Sequence, residues 1–82
     1  YDLGESNIRV NAISAGPLDT LSSRVISHYH DMKNAASNRS PLKRNITHDE
    51  VAKTALYLAS EMSSGVTGEI LHVDAGYNIM GI

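Results

Sequence analysis

Cysteine, tryptophan and phenylalanine are absent from the 82-residue sequence, and proline occurs only twice. Without cysteine there is no disulfide and no thiolate for a structural zinc, and no closely matched His pair stands in. No apolar run approaches the roughly 20 residues that span a bilayer, so no membrane partner is expected. Charge is also sparse: 7 Lys+Arg against 9 Asp+Glu give a formal net charge of −2. That balance argues against a nucleic-acid partner, which needs a clustered basic face. Arg39, Lys43 and Arg44 form only a short basic group, read as a solvated loop. A chain of this length forms one small domain at most and buries about 60% of its unfolded surface. The first residue is Tyr1 and no signal-peptide pattern follows, so the sequence reads as a piece of a longer chain.

What is present is an α/β pattern. Asp2-Leu3 followed by Gly4 reads as a helix end, with Gly4 suited to the left-handed closing conformation. Ile8 to Ala15 is short, rich in β-branched residues and stopped by Gly16-Pro17, which predicts a strand. Its apolar residues do not alternate cleanly, as expected of a strand covered on both faces in a parallel sheet. From Leu18 to Ser40 the chain is mixed and polar. Leu21, Val25, Ile26, Tyr29 and Met32 recur at spacings of three and four, predicting one or two short amphipathic helices.

The clearest helix starts at Thr47-His48-Asp49-Glu50. This is a capping box, in which Thr47 accepts from the Glu50 N–H and the Glu50 side chain reaches back. Asp49 and Glu50 complement the positive end of the helix dipole. Val51, Ala52, Ala55, Leu56, Leu58 and Ala59 then form a broad apolar face, and Ser63-Ser64-Gly65 ends the segment. A second strand is predicted over Glu69 to Val73, before a turn at Asp74-Ala75-Gly76. Helix end, strand, covering segment, helix and strand make the closing half of a doubly wound α/β sheet. Two strands cannot complete such a sheet, so the other strands are expected outside this chain.

The chemistry is expected where the first strand ends. A strand ending in Gly-Pro at the carboxyl edge of a parallel sheet opens onto the crevice where such folds bind ligands. Gly16 lets a ligand approach the backbone, and Pro17 fixes the exit direction. Leu18 offers an amide, a carbonyl and an apolar side chain, and Thr20 a hydroxyl near a helix start that suits phosphate. On spacing alone, a plain strand-to-loop turn is the competing reading. His28 and His30, two residues apart, point to different helix faces and share no metal. His48 and His72 read as structural. Ser14, His72 and Asp74 lack the strand–turn–helix elbow of a hydrolase nucleophile.

The string Asp2-Leu3-Gly4, then Asn7-Ile8-Arg9-Val10-Asn11-Ala12-Ile13-Ser14-Ala15-Gly16-Pro17, resembles the sixth-strand region of short-chain dehydrogenases/reductases. Ser-Ala-Gly-Pro followed by Leu18-x-Thr20-Leu21 is similar to the enoyl-acyl-carrier-protein reductase branch. Pro41-Leu42-Lys43-Arg44 and the stretch from Gly65 to Asn78 agree with that branch. Residues 33 to 40 are the weakest part of the resemblance.

The resemblance implies a Rossmann-like doubly wound parallel sheet, of which residues 1–82 form the C-terminal segment: its last two strands and flanking helices. It implies an oxidoreductase of fatty-acid biosynthesis that reduces the trans-2 double bond of enoyl-acyl-carrier-protein thioesters with NAD, or with NADP. Gly16, Pro17, Leu18, Asp19, Thr20, Leu21 and Ser22 would form the cofactor turn. The Leu18 backbone would hold the nicotinamide carboxamide, and Thr20 the pyrophosphate or ribose side. Residues 18–40 would be a flexible substrate-covering segment, with Ile26, Tyr29 and Met32 against the acyl chain; their common helical face is equally the mark of ordinary core packing. The glycine-rich phosphate loop and the catalytic Tyr and Lys would lie upstream, so no catalytic residue is assigned here. Asp19 stands where the branch often has a basic residue, and Ser22-Ser23 replaces a small apolar pair. A cytoplasmic homotetramer is implied, with Ile70 to Val73, the capped helix and the apolar tail Ile79-Met80-Gly81-Ile82 at interfaces. A 3-oxoacyl-thioester or other short-chain reductase is the alternative, as is a non-catalytic subunit of the same fold.

Overall fold

A computed structural model describes residues 1–18 and 29–81. Two strands, β1 (Ala12–Ala15) and β2 (Ile70–Val73), pair in parallel with Ala12 opposite Ile70 and Ala15 opposite Val73. Between them run α1 (Tyr29–Arg39) and α2 (His48–Ala59). Short 3-10 turns occupy Gly4–Ser6, Glu61–Ser63 and Tyr77–Met80. Parallel strands need a long crossover, and the helices supply it.

The ladder is shorter than the predicted strand over Ile8 to Ala15. Residues upstream of Ala12 are bound by other hydrogen bonds to the segment that leads into β2. Val10 N–H donates to Thr67 Oγ1 at 3.1 Å, and Gly68 N–H donates to the Val10 carbonyl at 2.8 Å. The Asn11 amide donates to the Val66 carbonyl and accepts from the Glu69 N–H, both at 3.0 Å. Side-chain bonds from Asn11 and Thr67 thus join backbone bonds, Gly68 to Val10 and Ala12 to Glu69, in extending the pairing beyond the ladder.

The first turn also differs from expectation. Gly4 opens a 3-10 turn, and Asn7, not Gly4, takes the left-handed conformation, at φ 59 and ψ 38. The Asn7 N–H donates to the Gly4 carbonyl at 2.9 Å. Asn tolerates this region better than other non-glycine residues, because its short polar side chain bonds locally.

The capping box forms as predicted. Glu50 N–H donates to Thr47 Oγ1 at 3.2 Å, and Thr47 N–H donates back to Glu50 Oε1 at 2.9 Å. Arg44 adds a bidentate pair to the same carboxylate, with both contacts at 2.8 Å. This Arg44 hydrogen bonding is the main reason that the Glu50 carboxyl titrates at about 2, down from an ordinary 4.5. α2 ends at Ala59, four residues before the predicted stop. There the Ser60 N–H bonds the Tyr57 carbonyl and a 3-10 turn takes over.

Arg9 joins that end of α2 to the start of the sheet. Its guanidinium donates to the carbonyls of Leu58 at 2.8 Å and Val66 at 3.0 Å, and to Ser63 Oγ at 3.1 Å. Helix C-termini leave carbonyls without intrahelical partners, and a planar cation with five donors satisfies several at once. Ser63, fully buried, adds its own bond to the Leu58 carbonyl at 2.9 Å.

The described core is small: Tyr29, Ile46 and Ala75 are its buried apolar residues. α2 packs on both strands. Even so, Leu56 is 70% exposed and Ile70 63% exposed. Two strands and two helices cannot enclose a sheet on both faces, so much of the apolar surface meant for burial stays open in this chain.

Candidate functional site

Both strands run in the same direction, so their carboxyl ends share one edge. A cavity of about 500 Å³ lies there. Ser14, Ala15, Gly16 and Pro17 from the β1 exit form one wall; Met32, Ala35 and Ala36 of α1 form another. His72, Asp74, Tyr77 and Asn78, from β2 and the turn after it, complete the lining. The volume falls in the usual range for small-molecule sites, about 300 to 1,000 Å³.

The two exits are held close together. Gly16 N–H donates to the Val73 carbonyl at 2.9 Å. A Cβ at Gly16 would lie 3.3 Å from Asp74 Cα and Cβ. The missing side chain at Gly16 therefore accommodates the β2 exit, not only the approach of a ligand.

Asp74 organises the terminal turn. Its Oδ1 accepts from the Gly76 N–H at 3.0 Å and its Oδ2 from the Asn78 N–H at 3.1 Å. With its nitrogen turned toward Asp74, the Asn78 amide also reaches both carboxylate oxygens at 3.2 Å. His72 Nδ1 stands 3.9 Å from Asp74 Oδ2. Gly76 sits at φ 89, and a Cβ there would meet Pro41 Cγ at 2.8 Å. The Leu42 N–H bonds the Ala75 carbonyl at 3.1 Å, so the loop after α1 is fastened to the same turn.

Of the residues singled out from sequence, Gly16, Pro17 and Met32 line this cavity together. Leu18 is half-buried and lies just beyond that wall. Tyr29 is buried and shares a helical face with Met32 and Ala36, at spacings of three and seven. Asp19, Thr20, Leu21, Ser22 and Ile26 lie outside the described residues. His72, Asp74, Tyr77 and Asn78 were not assigned to this site from sequence. The usable signal was strand direction: once β1 and β2 are parallel, the Asp-Ala-Gly turn must lie beside Gly-Pro. Register also sets Ser14 opposite His72, so Ser14, His72 and Asp74 line one cavity. The Asp74 carboxylate, however, is committed to the turn. Among the described residues no group of three or more His, Asp or Glu could hold a metal ion.

Parallel strands, flanking helices and a cleft at the carboxyl edge define the last strands of a Rossmann-like doubly wound α/β sheet. The chain belongs to the enoyl-(acyl carrier protein) reductase family, whose profile matches residues 1–78. It is 59% identical over 80 residues to the NADH-dependent enoyl-[acyl-carrier-protein] reductase FabI of Rickettsia typhi, covering 98% of this chain and 31% of that protein. It is 54% identical over 77 residues to the NADPH-dependent FabI of Staphylococcus aureus, covering 94% of this chain and 30% of that protein. The Bacillus cereus enoyl-acyl carrier protein reductase, solved with NADP+ and an indole naphthyridinone, superposes with a TM-score of 0.93 at 48% identity, over 99% of this chain and 32% of that one. The chain thus spans less than a third of the length of these relatives.

Proposed function

We propose that this chain is part of a cytoplasmic enzyme that reduces the trans-2 double bond of enoyl-acyl-carrier-protein thioesters in fatty-acid biosynthesis. The observation that carries this reading is the cleft: the Gly16-Pro17 exit and the α1 face of Met32 and Ala36 meet over a mostly apolar cavity. An acyl chain needs such an apolar wall. A nicotinamide ring needs a flat approach at a strand end and a few polar groups, and Ser14, His72 and Asn78 stand there. The residues present therefore fit the cofactor.

A bound nicotinamide, NAD or NADP, supplies the hydride that reaches the β-carbon of the enoyl thioester. The Leu18 backbone would hold the nicotinamide carboxamide, with Gly16 and Pro17 in the same cofactor turn. Asp19, Thr20, Leu21 and Ser22 continue the cofactor turn toward the pyrophosphate. Ile26, Tyr29 and Met32 pack on the acyl chain and exclude water from it, within a covering segment over 18–40. The catalytic Tyr and Lys belong to the part of the protein upstream of this chain. The assembly is a homotetramer, with the Ile70 to Val73 strand, α2 and the exposed Ile79 and Met80 at its interfaces.

The test is loss of NADH or NADPH absorbance by the full-length protein, offered a trans-2-enoyl thioester and, separately, a 3-oxoacyl thioester. Turnover of the enoyl substrate is expected. Turnover of the ketone alone would move the enzyme to the sister branch. Light scattering on the same preparation checks the tetramer, and a monomer would refute it.

A further inference from the structure

We propose that Ser14 and His72 form a subsite for a neutral amide group at the strand end of the cavity. The register makes the two residues direct partners across β1 and β2, so their side chains stand on one face of the sheet. Both line the cavity. Among the described residues no hydrogen bond engages Ser14 Oγ or the His72 ring, whose Nδ1, at 3.9 Å from Asp74 Oδ2, is beyond bonding range. Asp74 and Asn78, by contrast, are committed to the terminal turn.

The chemistry of the pair defines the ligand. A hydroxyl both donates and accepts, and an imidazole offers a donor and an acceptor on its two nitrogens. An amide, with an N–H and a carbonyl in one plane, uses both residues. Charge decides against an anion: no lysine or arginine is among the described lining residues, and the Asp74 carboxylate adjoins the ring. A phosphate there would meet a like charge with no cation to offset it. The facing wall of Met32, Ala35 and Ala36 offers no side-chain hydrogen bond, so the polar edge of the ligand turns toward the strands. Two groups in the reaction carry an amide: the nicotinamide, and the arm on which a carrier-bound thioester is held. That either is the natural occupant rests on the function proposed above; the subsite itself rests on the paired strands.

The experiment is titration calorimetry on the full-length protein and its Ser14→Ala and His72→Phe variants, with two matched pairs of ligands. One pair is NADH and ADP-ribose, which lacks the nicotinamide. The other is a saturated acyl N-acetylcysteamine thioester, which carries an amide, and the S-ethyl thioester of the same acid, which does not. Each variant is expected to weaken the amide-bearing member of a pair about 2- to 12-fold, the effect of one neutral hydrogen bond, and to leave its amide-free partner unchanged. Selective loss on the cofactor pair assigns the subsite to the carboxamide, and selective loss on the thioester pair assigns it to the arm. Ser14→Ala removes a single oxygen and decides the matter if His72→Phe lowers the melting temperature. Equal loss on both members, selective loss below twofold in both pairs, or wild-type protein that binds none of the four ligands overturns the inference. Selective loss in a protein inactive on enoyl thioesters would overturn the function proposed above and leave the amide subsite standing.

Discussion

Replacing Gly76 by Ala tests whether the terminal turn is packed as tightly as the structure indicates. Two costs combine at this position. The first is conformational: Gly76 sits at φ 89, a region that L side chains avoid at a cost of about 1–2 kcal/mol. The second is steric. The new Cβ would lie 2.8 Å from Pro41 Cγ, 3.0 Å from Cδ and 3.2 Å from Cβ, all in a ring that cannot rotate away. Overpacking of this kind costs about 1–3 kcal/mol. Gly68 provides the internal control. It has a similar φ of 74, but nothing lies within 4 Å of its Cβ position. Gly68→Ala therefore carries the conformational cost alone, along with the same loss of unfolded-chain entropy. Thermal unfolding of the two full-length variants should differ by the steric cost, about 1–3 kcal/mol. At about 2–4 °C per kcal/mol in a protein of a few hundred residues, Gly76→Ala should melt a few to about ten degrees below Gly68→Ala. Equal melting temperatures would refute the close contact between the loop after α1 and the turn after β2. The activity assay adds a second reading. The Gly76 turn carries Asp74, Tyr77 and Asn78 into the cavity, so Gly76→Ala should also raise KM for the thioester, while Gly68→Ala should not.

Arg9→Met should cost about 1.5–3 kcal/mol, because it removes charge-assisted bonds to the carbonyls of Leu58 and Val66, which keep only the Ser63 hydroxyl and the Asn11 amide as donors; denaturant unfolding checks this, and a loss below about 1 kcal/mol would refute the clamp. The Glu50 carboxyl is held at about 2 in the folded state against an ordinary 4.5, so the folded protein binds fewer protons than the unfolded chain in that range. Its contribution is present above pH 4.5 and is lost as pH falls toward 2; the gap in melting temperature between wild type and Glu50→Gln should shrink over that window, and a constant gap would contradict it. Ala36→Trp fills the cavity wall and should raise KM for the enoyl thioester at least tenfold while the fold is kept; unchanged kinetics would separate this cavity from the reaction.

Local signals were enough for much of this protein. Thr47 to Glu50 specifies its capping box because every partner lies within one turn. Gly16-Pro17 marks the end of β1 because Pro breaks the pairing pattern by covalent geometry. The spacing of Tyr29 and Met32 fixes a common helix face, since 3.6 residues per turn is a property of the backbone. The family resemblance rests on Asp2 to Leu21, Pro41 to Arg44 and Gly65 to Asn78. What lay beyond the sequence depends on pairs far apart in the chain. That Asn11 and Thr67 extend the pairing ahead of the ladder required knowing which segments run side by side. That Asn7 and not Gly4 turns left-handed depended on where the next bond to the Gly4 carbonyl came from. The largest omission was the Asp74 turn as a wall of the cleft. Its residues stand about 60 positions from Ser14, and only the parallel pairing of β1 with β2 brings both carboxyl ends to one edge. Sequence determines what each segment is able to be; which segments become neighbours is decided by the sheet, because hydrogen bonding between strands carries no record of their distance along the chain.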